Sequence, residues 1–161
     1  MVTGKPISLG GSLGRREATG RGVFVVGSAA AALRGLEIKG AKIAVQGYGN
    51  VGGTAAKLFV EAGAKLVAVQ DHMTTIVNPG GINALALFEH VKLNGSVQGF
   101  AGATEITDSS QFWGVDCDIL IPAALEQQIN ETNANQIRAK IILEGANGPT
   151  SPGADDILQD R

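Results

Sequence analysis

The six residues Gly47-Tyr48-Gly49-Asn50-Val51-Gly52 fit the pattern G-x-G-x-x-G, and Asp71 follows about 20 positions later. Residues of these types at this spacing can bind a dinucleotide. Gly47 permits a tight turn. Gly49 lacks a Cβ, so backbone can approach a pyrophosphate, and Gly52 lets a helix pack close to a strand. The start of that helix offers unpaired N–H groups and a partial positive charge to phosphates. Asp71 can accept hydrogen bonds from a ribose hydroxyl. The string alone is a weak signal, because a chain with 23 glycines produces it by chance. The alternative is a tight turn with no ligand. A phosphate loop of the ATPase kind is excluded, since no Gly-Lys-Ser/Thr follows the glycines.

The flanking elements decide between these readings. Lys42–Gln46 is a short apolar run between Gly40 and Gly47 and reads as a strand; Val51–Ala62, closed by Gly63, reads as the helix that the turn must open. Lys65–Gln70 is a second apolar strand, which puts Asp71 at its end. Upstream, the Ala-rich stretch Ala18–Leu36 has helical spacing, with Gly35 ending it. Downstream, Asp71–Gly81 is loop-like with a short strand at Ile76-Val77. Asn83 caps a helix over Ala84–Leu93, and Asn94-Gly95 stops it. The stretch from Gly95 to Phe112 has no clear period. Ile119–Ile121 and Ile141–Leu143 read as strands, Glu126–Ile137 as one or two short helices, and Ala154–Leu158 as a last helix. Continuous apolar strands alternating with helices predict one domain over residues 1–161: an α/β, doubly wound, mostly parallel sheet covered on both faces.

Composition narrows the function classes. Lys plus Arg number 13 against 15 Asp plus Glu, so no basic excess offers counter-ions to nucleic acid or an anionic membrane. Aromatics are 4%, too few for a single-strand stacking platform. No apolar run is long enough to span a bilayer, and Met1–Pro6 has no apolar signal core, so a cytoplasmic setting is expected. Cys117 stands alone between Asp116 and Asp118, which disfavours a thiolate and predicts an inert small residue. Two separated histidines and one cysteine make no metal set. His72 is expected on a solvated loop, His90 on a helix surface, and Asp155-Asp156 at a solvated helix end.

Four segments carry a resemblance. Gly10-Gly11-Ser12-Leu13-Gly14-Arg15-Arg16-Glu17-Ala18-Thr19-Gly20, Gln46–Gly52, Ile121–Glu126 and Glu144–Thr150 resemble, in that order, stretches of the cofactor domain of glutamate dehydrogenases. Leucine and phenylalanine dehydrogenases are similar in layout. The resemblance implies a Rossmann-like fold binding a nicotinamide dinucleotide and a parent reaction that interconverts L-glutamate with 2-oxoglutarate and ammonia; the Asp71 carboxylate, which would repel a 2′-phosphate, favours NAD, with NADP open. It places Thr19 and Asn50 near the nicotinamide carboxamide, Ala123 beside the nicotinamide ribose, and Asn147 at the nicotinamide end. On residue type alone, Thr19 is a helix-start residue and Asn147 a turn residue. Arg15-Arg16 could approach phosphates or meet a neighbouring domain. The resemblance also implies that the lysines and aspartate acting on glutamate belong to an N-terminal domain outside this sequence. The sheet is then expected to be incomplete at its C-terminal edge, the chain by itself inactive, the parent a homo-hexamer, and the isolated chain a monomer or weak oligomer. A free-standing, non-catalytic dinucleotide-binding or regulatory module is the alternative.

Overall fold

Two parallel strands form the centre of the molecule: β1 (Lys42–Gln46) and β2 (Lys65–Gln70), paired so that Gln46 lies opposite Gln70. In this computed structural model, residues 4–160 are described. Met1–Thr3, the start of the stretch read as lacking a signal core, lie outside the described residues, as does Arg161. The six-stranded open sheet has the order β4-β3-β2-β1-β5-β6. β5 (Ile119–Pro122) and β6 (Ile141–Ile142) extend it in parallel on one side. β3 (Thr75–Val77) and β4 (Thr104–Ile106) extend it antiparallel on the other. β1, β2 and β5 are nearly continuous apolar runs because both of their faces are covered.

One face carries three helices. α1 (Arg15–Leu33) and α2 (Asn50–Glu61) pack together, with Phe24 and Phe59 edge to face at 5.0 Å. α3 (Ala84–Asn94) starts at Asn83, whose side chain accepts from the Ala86 N–H, and stops at Gly95, which is left-handed. Val45, Phe59, Leu66, Val69, Leu87, Ile119 and Ile121 fill the core on that side. The other face is covered mainly by 3₁₀ turns and irregular chain, with α4 (Pro152–Gln159), and its core is Ala44, Ala68, Phe112, Trp113, Leu120, Ile129 and Ile137.

Two expectations are corrected. α1 begins at Arg15 rather than Ala18 and its last residue is Leu33. Gly14 caps its start, and Gly35, at φ +67°, is the left-handed residue past its end. Gly20 lies within this helix; a Cβ there would stand 2.6 Å from the Val51 carbonyl, so its missing side chain lets α1 approach α2 closely. The stretch Glu126–Ile137 forms no α-helix. Asn130 and Asn133 fold it into side-chain-capped turns, and only Ala134–Gln136 makes a 3₁₀ turn.

Candidate functional site

The chain leaves β1 at Gln46, turns through Gly47 and Tyr48, and enters α2 with Gly49 as its N-cap. The three glycines differ in what surrounds them. Gly47 has φ +84°, and a Cβ there would meet the Ala123 carbonyl at 2.7 Å. A Cβ on Gly52 would stand 1.9 Å from the Gly47 carbonyl oxygen and 2.9 Å from Val45. A Cβ on Gly49 would meet nothing within 4 Å. Gly47 and Gly52 are therefore needed to build the turn, whereas the space in front of Gly49 is left open by the protein.

That space belongs to a cleft of about 690 Å³ at the C-terminal ends of β1, β2 and β5. Gly47, Tyr48 and Gly49 line it on one side, Asp71, His72 and Met73 on another, and Ala123, Ala124 and Leu125 on a third. Such a crevice outside the carboxyl ends of parallel strands is where open α/β sheets bind ligands. No Lys or Arg lines it among the described residues.

Of the residues singled out from sequence, Gly47, Tyr48, Gly49, Asp71 and Ala123 meet in this cleft. Asn50, Val51 and Gly52 form the first turn of α2 beside it. Thr19 is exposed on α1 next to Gly20, which packs on the Val51 carbonyl. Asn147 is exposed two residues after Gly145, where a Cβ would come within 3.0 Å of Ala123 and 3.1 Å of Val51. Gln127 N–H donates to the Gly148 carbonyl at 2.9 Å and ties the two loops together. Gly20 and Gly145, which lie one and two residues from Thr19 and Asn147, thus both sit close to Val51. Tyr48 contributes differently from a ligand-facing aromatic: it is buried, its hydroxyl donates to the Ala84 carbonyl at 3.1 Å, and burial pushes its phenol upward.

The floor holds residues that motif reading missed. Gln46 Nε2 donates to Gln70 Oε1 at 3.1 Å and to Gln128 Oε1 at 2.9 Å. Gln70 Nε2 donates to Thr75 Oγ1 and to the Ser109 carbonyl. Gln128 Nε2 donates to the Glu126 carbonyl. Because both Gln46 protons are used, its orientation is fixed, and Gln46 Oε1 is buried without a partner among the described residues. The sequence signal was available: both central apolar strands end in Gln.

Asp71 is half-buried. Burial alone would raise its carboxyl; N–H groups of Val97, Met73 and Thr74 and the Ser96 hydroxyl outweigh this and hold it below the ordinary value. His72 is exposed, as expected. His90 differs from a free surface histidine: it is half-buried, with Nε2 2.8 Å from the Gln98 carbonyl and its ring edge to face with Phe100. Arg15 and Arg16 are exposed and line a separate hollow with Lys5 and Ser12. Cys117 is buried, and burial first, then Asp118 and Asp116, push its thiol up to about 12. Asp155 and Asp156 are exposed on α4, and the described residues hold no group of His, Cys, Asp or Glu able to bind a metal ion.

Residues 10–161 match the profile of the Glutamate/Leucine/Phenylalanine/Valine dehydrogenase family. The chain belongs to that family. It is 49% identical over 162 residues to the glutamate dehydrogenase of Thermotoga maritima, covering 100% of this chain and 39% of that protein. It is 49% identical over 168 residues to the mitochondrial glutamate dehydrogenase of Dictyostelium discoideum, covering 99% and 34%. The structure of hetero-hexameric glutamate dehydrogenase from Thermus thermophilus superposes with a TM-score of 0.89 at 33% identity, over 99% of this chain and 37% of that one. The chain therefore spans under two-fifths of the length of these relatives, and the family's fold over that span is the Rossmann-like open sheet found here. No described helix is long and apolar enough to cross a membrane.

Proposed function

We propose that this chain is the dinucleotide-binding domain of a glutamate dehydrogenase, with NAD as the preferred cofactor. The observation that carries the reading is the open space in front of Gly49, at the N-terminus of α2 and in the wall of the 690 Å³ cleft. The residues present fit a dinucleotide. A cradle that a Cβ would fill, beside the first-turn N–H groups of α2, suits a pyrophosphate. In this reading Gly47, Gly49, Asn50, Val51 and Gly52 hold the phosphates. Thr19, Asn50, Ala123 and Asn147 surround the nicotinamide end, and Tyr48 supports the turn from below. When bound, the nicotinamide accepts or gives a hydride. The chain's own part is to bind, orient and present it.

NAD is favoured over NADP by charge. Asp71 is an anion in the wall, and no described Lys or Arg lines the cleft to offset a 2′-phosphate. Two unit charges of like sign at about 4 Å repel by roughly 4 kcal/mol at an effective dielectric near 20. Solvent at the half-buried Asp71 reduces that value, but enough remains to set a preference.

For the longer polypeptide we propose the reversible oxidative deamination of L-glutamate to 2-oxoglutarate and ammonia, in a homo-hexamer and a cytoplasmic setting. The chain itself, a monomer or weak oligomer, binds cofactor without turning over glutamate. Competitive calorimetric titration of NAD⁺ and NADP⁺ tests the binding claim. Tighter NAD⁺ binding is expected; binding of neither overturns it. A steady-state assay with glutamate tests the second claim, where turnover abolished by Gly49→Val would refute it.

A further inference from the structure

Asp71 stands where an acidic residue at the end of a second strand would meet a ribose, yet both oxygens of its carboxylate already accept from backbone N–H groups. Oδ1 accepts from the Met73 N–H at 2.8 Å and the Thr74 N–H at 3.0 Å. Oδ2 accepts from the Val97 N–H at 2.7 Å. A carboxylate offers about four lone-pair positions, and three backbone N–H groups of this protein take three of them, with at least one on each oxygen.

These donors come from two separate segments. Met73 and Thr74 belong to the turn joining β2 to β3, and that turn lines the cleft. Ser96 and Val97 are buried and follow directly on Gly95, the residue that stops α3 and also lines the cleft. Asp71 thus fastens the turn after β2 and the exit of α3 to the end of the sheet. Turning its carboxylate toward a ligand hydroxyl would strip the buried Val97 N–H of its acceptor, and an unsatisfied buried donor costs more than a single exchanged hydrogen bond yields.

We propose that Asp71 is a positioning residue. It shapes the adenosine-side wall of the cleft by holding residues 72–74 and 95–97 in place, and groups other than its carboxylate take the ribose 2′-hydroxyl. This rests on the dinucleotide reading above, but the tether can be measured without any nucleotide.

The test compares wild type with Asp71→Ala, and with Asp71→Asn should the alanine variant fail to fold by circular dichroism. In the first arm, amide hydrogen exchange is followed at Met73, Thr74 and Val97 in nucleotide-free protein. Loss of the shared acceptor is expected to speed exchange at Val97 by about tenfold or more. In the second arm, NAD⁺ and its 2′-deoxyadenosine counterpart are titrated into both proteins. The variant is expected to bind both more weakly, with the ratio of the two dissociation constants within about twofold of the wild-type ratio. A direct carboxylate–hydroxyl bond predicts otherwise: about a tenfold or larger penalty for the deoxy compound in wild type, absent from the variant. That result overturns the proposal, as does unchanged exchange at Val97. Failure of wild type to bind either nucleotide removes the dinucleotide reading alone, and the exchange arm still decides the tether.

Discussion

Replacing Gly49 by Val should separate ligand binding from folding. The backbone at Gly49 lies at φ −84°, ψ −154°, an extended conformation open to any residue. A Cβ at this position would point into open space, with no atom within 4 Å. The structural cost is confined to the N-cap position, where Val is inferior to Gly by about 1 kcal/mol. For a chain of this size that lowers the melting temperature by about 2–4 °C. The cost to binding is larger, because the side chain stands where a pyrophosphate must approach the first-turn N–H groups of α2. Two charge-assisted hydrogen bonds lost, at roughly 1.5–3 kcal/mol each, amount to about 3–6 kcal/mol. At about 1.4 kcal/mol per decade, the dissociation constant rises by roughly two to four orders of magnitude. Calorimetric titration with NAD⁺, alongside thermal melts of both proteins, measures the two effects. Affinity within about threefold of wild type would refute the phosphate-cradle reasoning, since that corresponds to well under one lost bond.

Gly52→Ala should show the reverse pattern. Its Cβ would fall 1.9 Å from the Gly47 carbonyl oxygen, so overpacking should cost about 1–3 kcal/mol or more, read as a lower urea midpoint. Cys117, with its thiol pushed up to about 12 by burial, should resist alkylation in the native protein near neutral pH and react once the chain is denatured; rapid native labelling would contradict this. Asp71 should make stability acid-sensitive. Its folded pKa lies below the unfolded value of about 3.9, so its contribution is present above that pH and is lost as pH falls through the folded pKa. Urea midpoints of wild type and Asp71→Asn should therefore differ most above about pH 5 and converge in acid; a gap that widens in acid would reverse the sign of the argument.

What could be read from sequence was set by local forces. β1 and β2 occupy the residues expected of them, because each is a buried apolar run closed by a turn. Asn83 and Gly95 bound α3 through a cap bond and a left-handed residue, both encoded within a few positions. Where the deciding partner lies far along the chain, the reading failed. Thr104–Ile106 is a strand only because β3 pairs with it, and its exposed Thr and Glu carry no apolar signal. In Glu126–Ile137 the apolar residues Ile129, Ala134 and Ile137 face the second core at near-helical spacing. There the Asn130 and Asn133 side chains capture backbone N–H groups, and Ile129 bridges to Thr150. Local side-chain bonds and a distant pairing thus replace the helix that spacing suggests.

The same division runs through the site. The glycine motif was legible because the left-handed turn at Gly47 and the close approach at Gly52 are set within the motif itself. Gly52 meets the Gly47 carbonyl, and Gly49 meets nothing. Asp71 was legible as a position but not as a set of bonds. Two of its donors, Met73 and Thr74, follow from the turn it begins, while Val97 lies 26 residues away across a helix that the spacing rule does not see. Spacing therefore identifies an anion at the end of β2, which is sufficient for the charge argument against a 2′-phosphate. Whether that anion also touches a ribose depends on its free acceptors. With the Met73, Thr74 and Val97 N–H groups bonded to it, Asp71 acts on the cleft through the segments it holds.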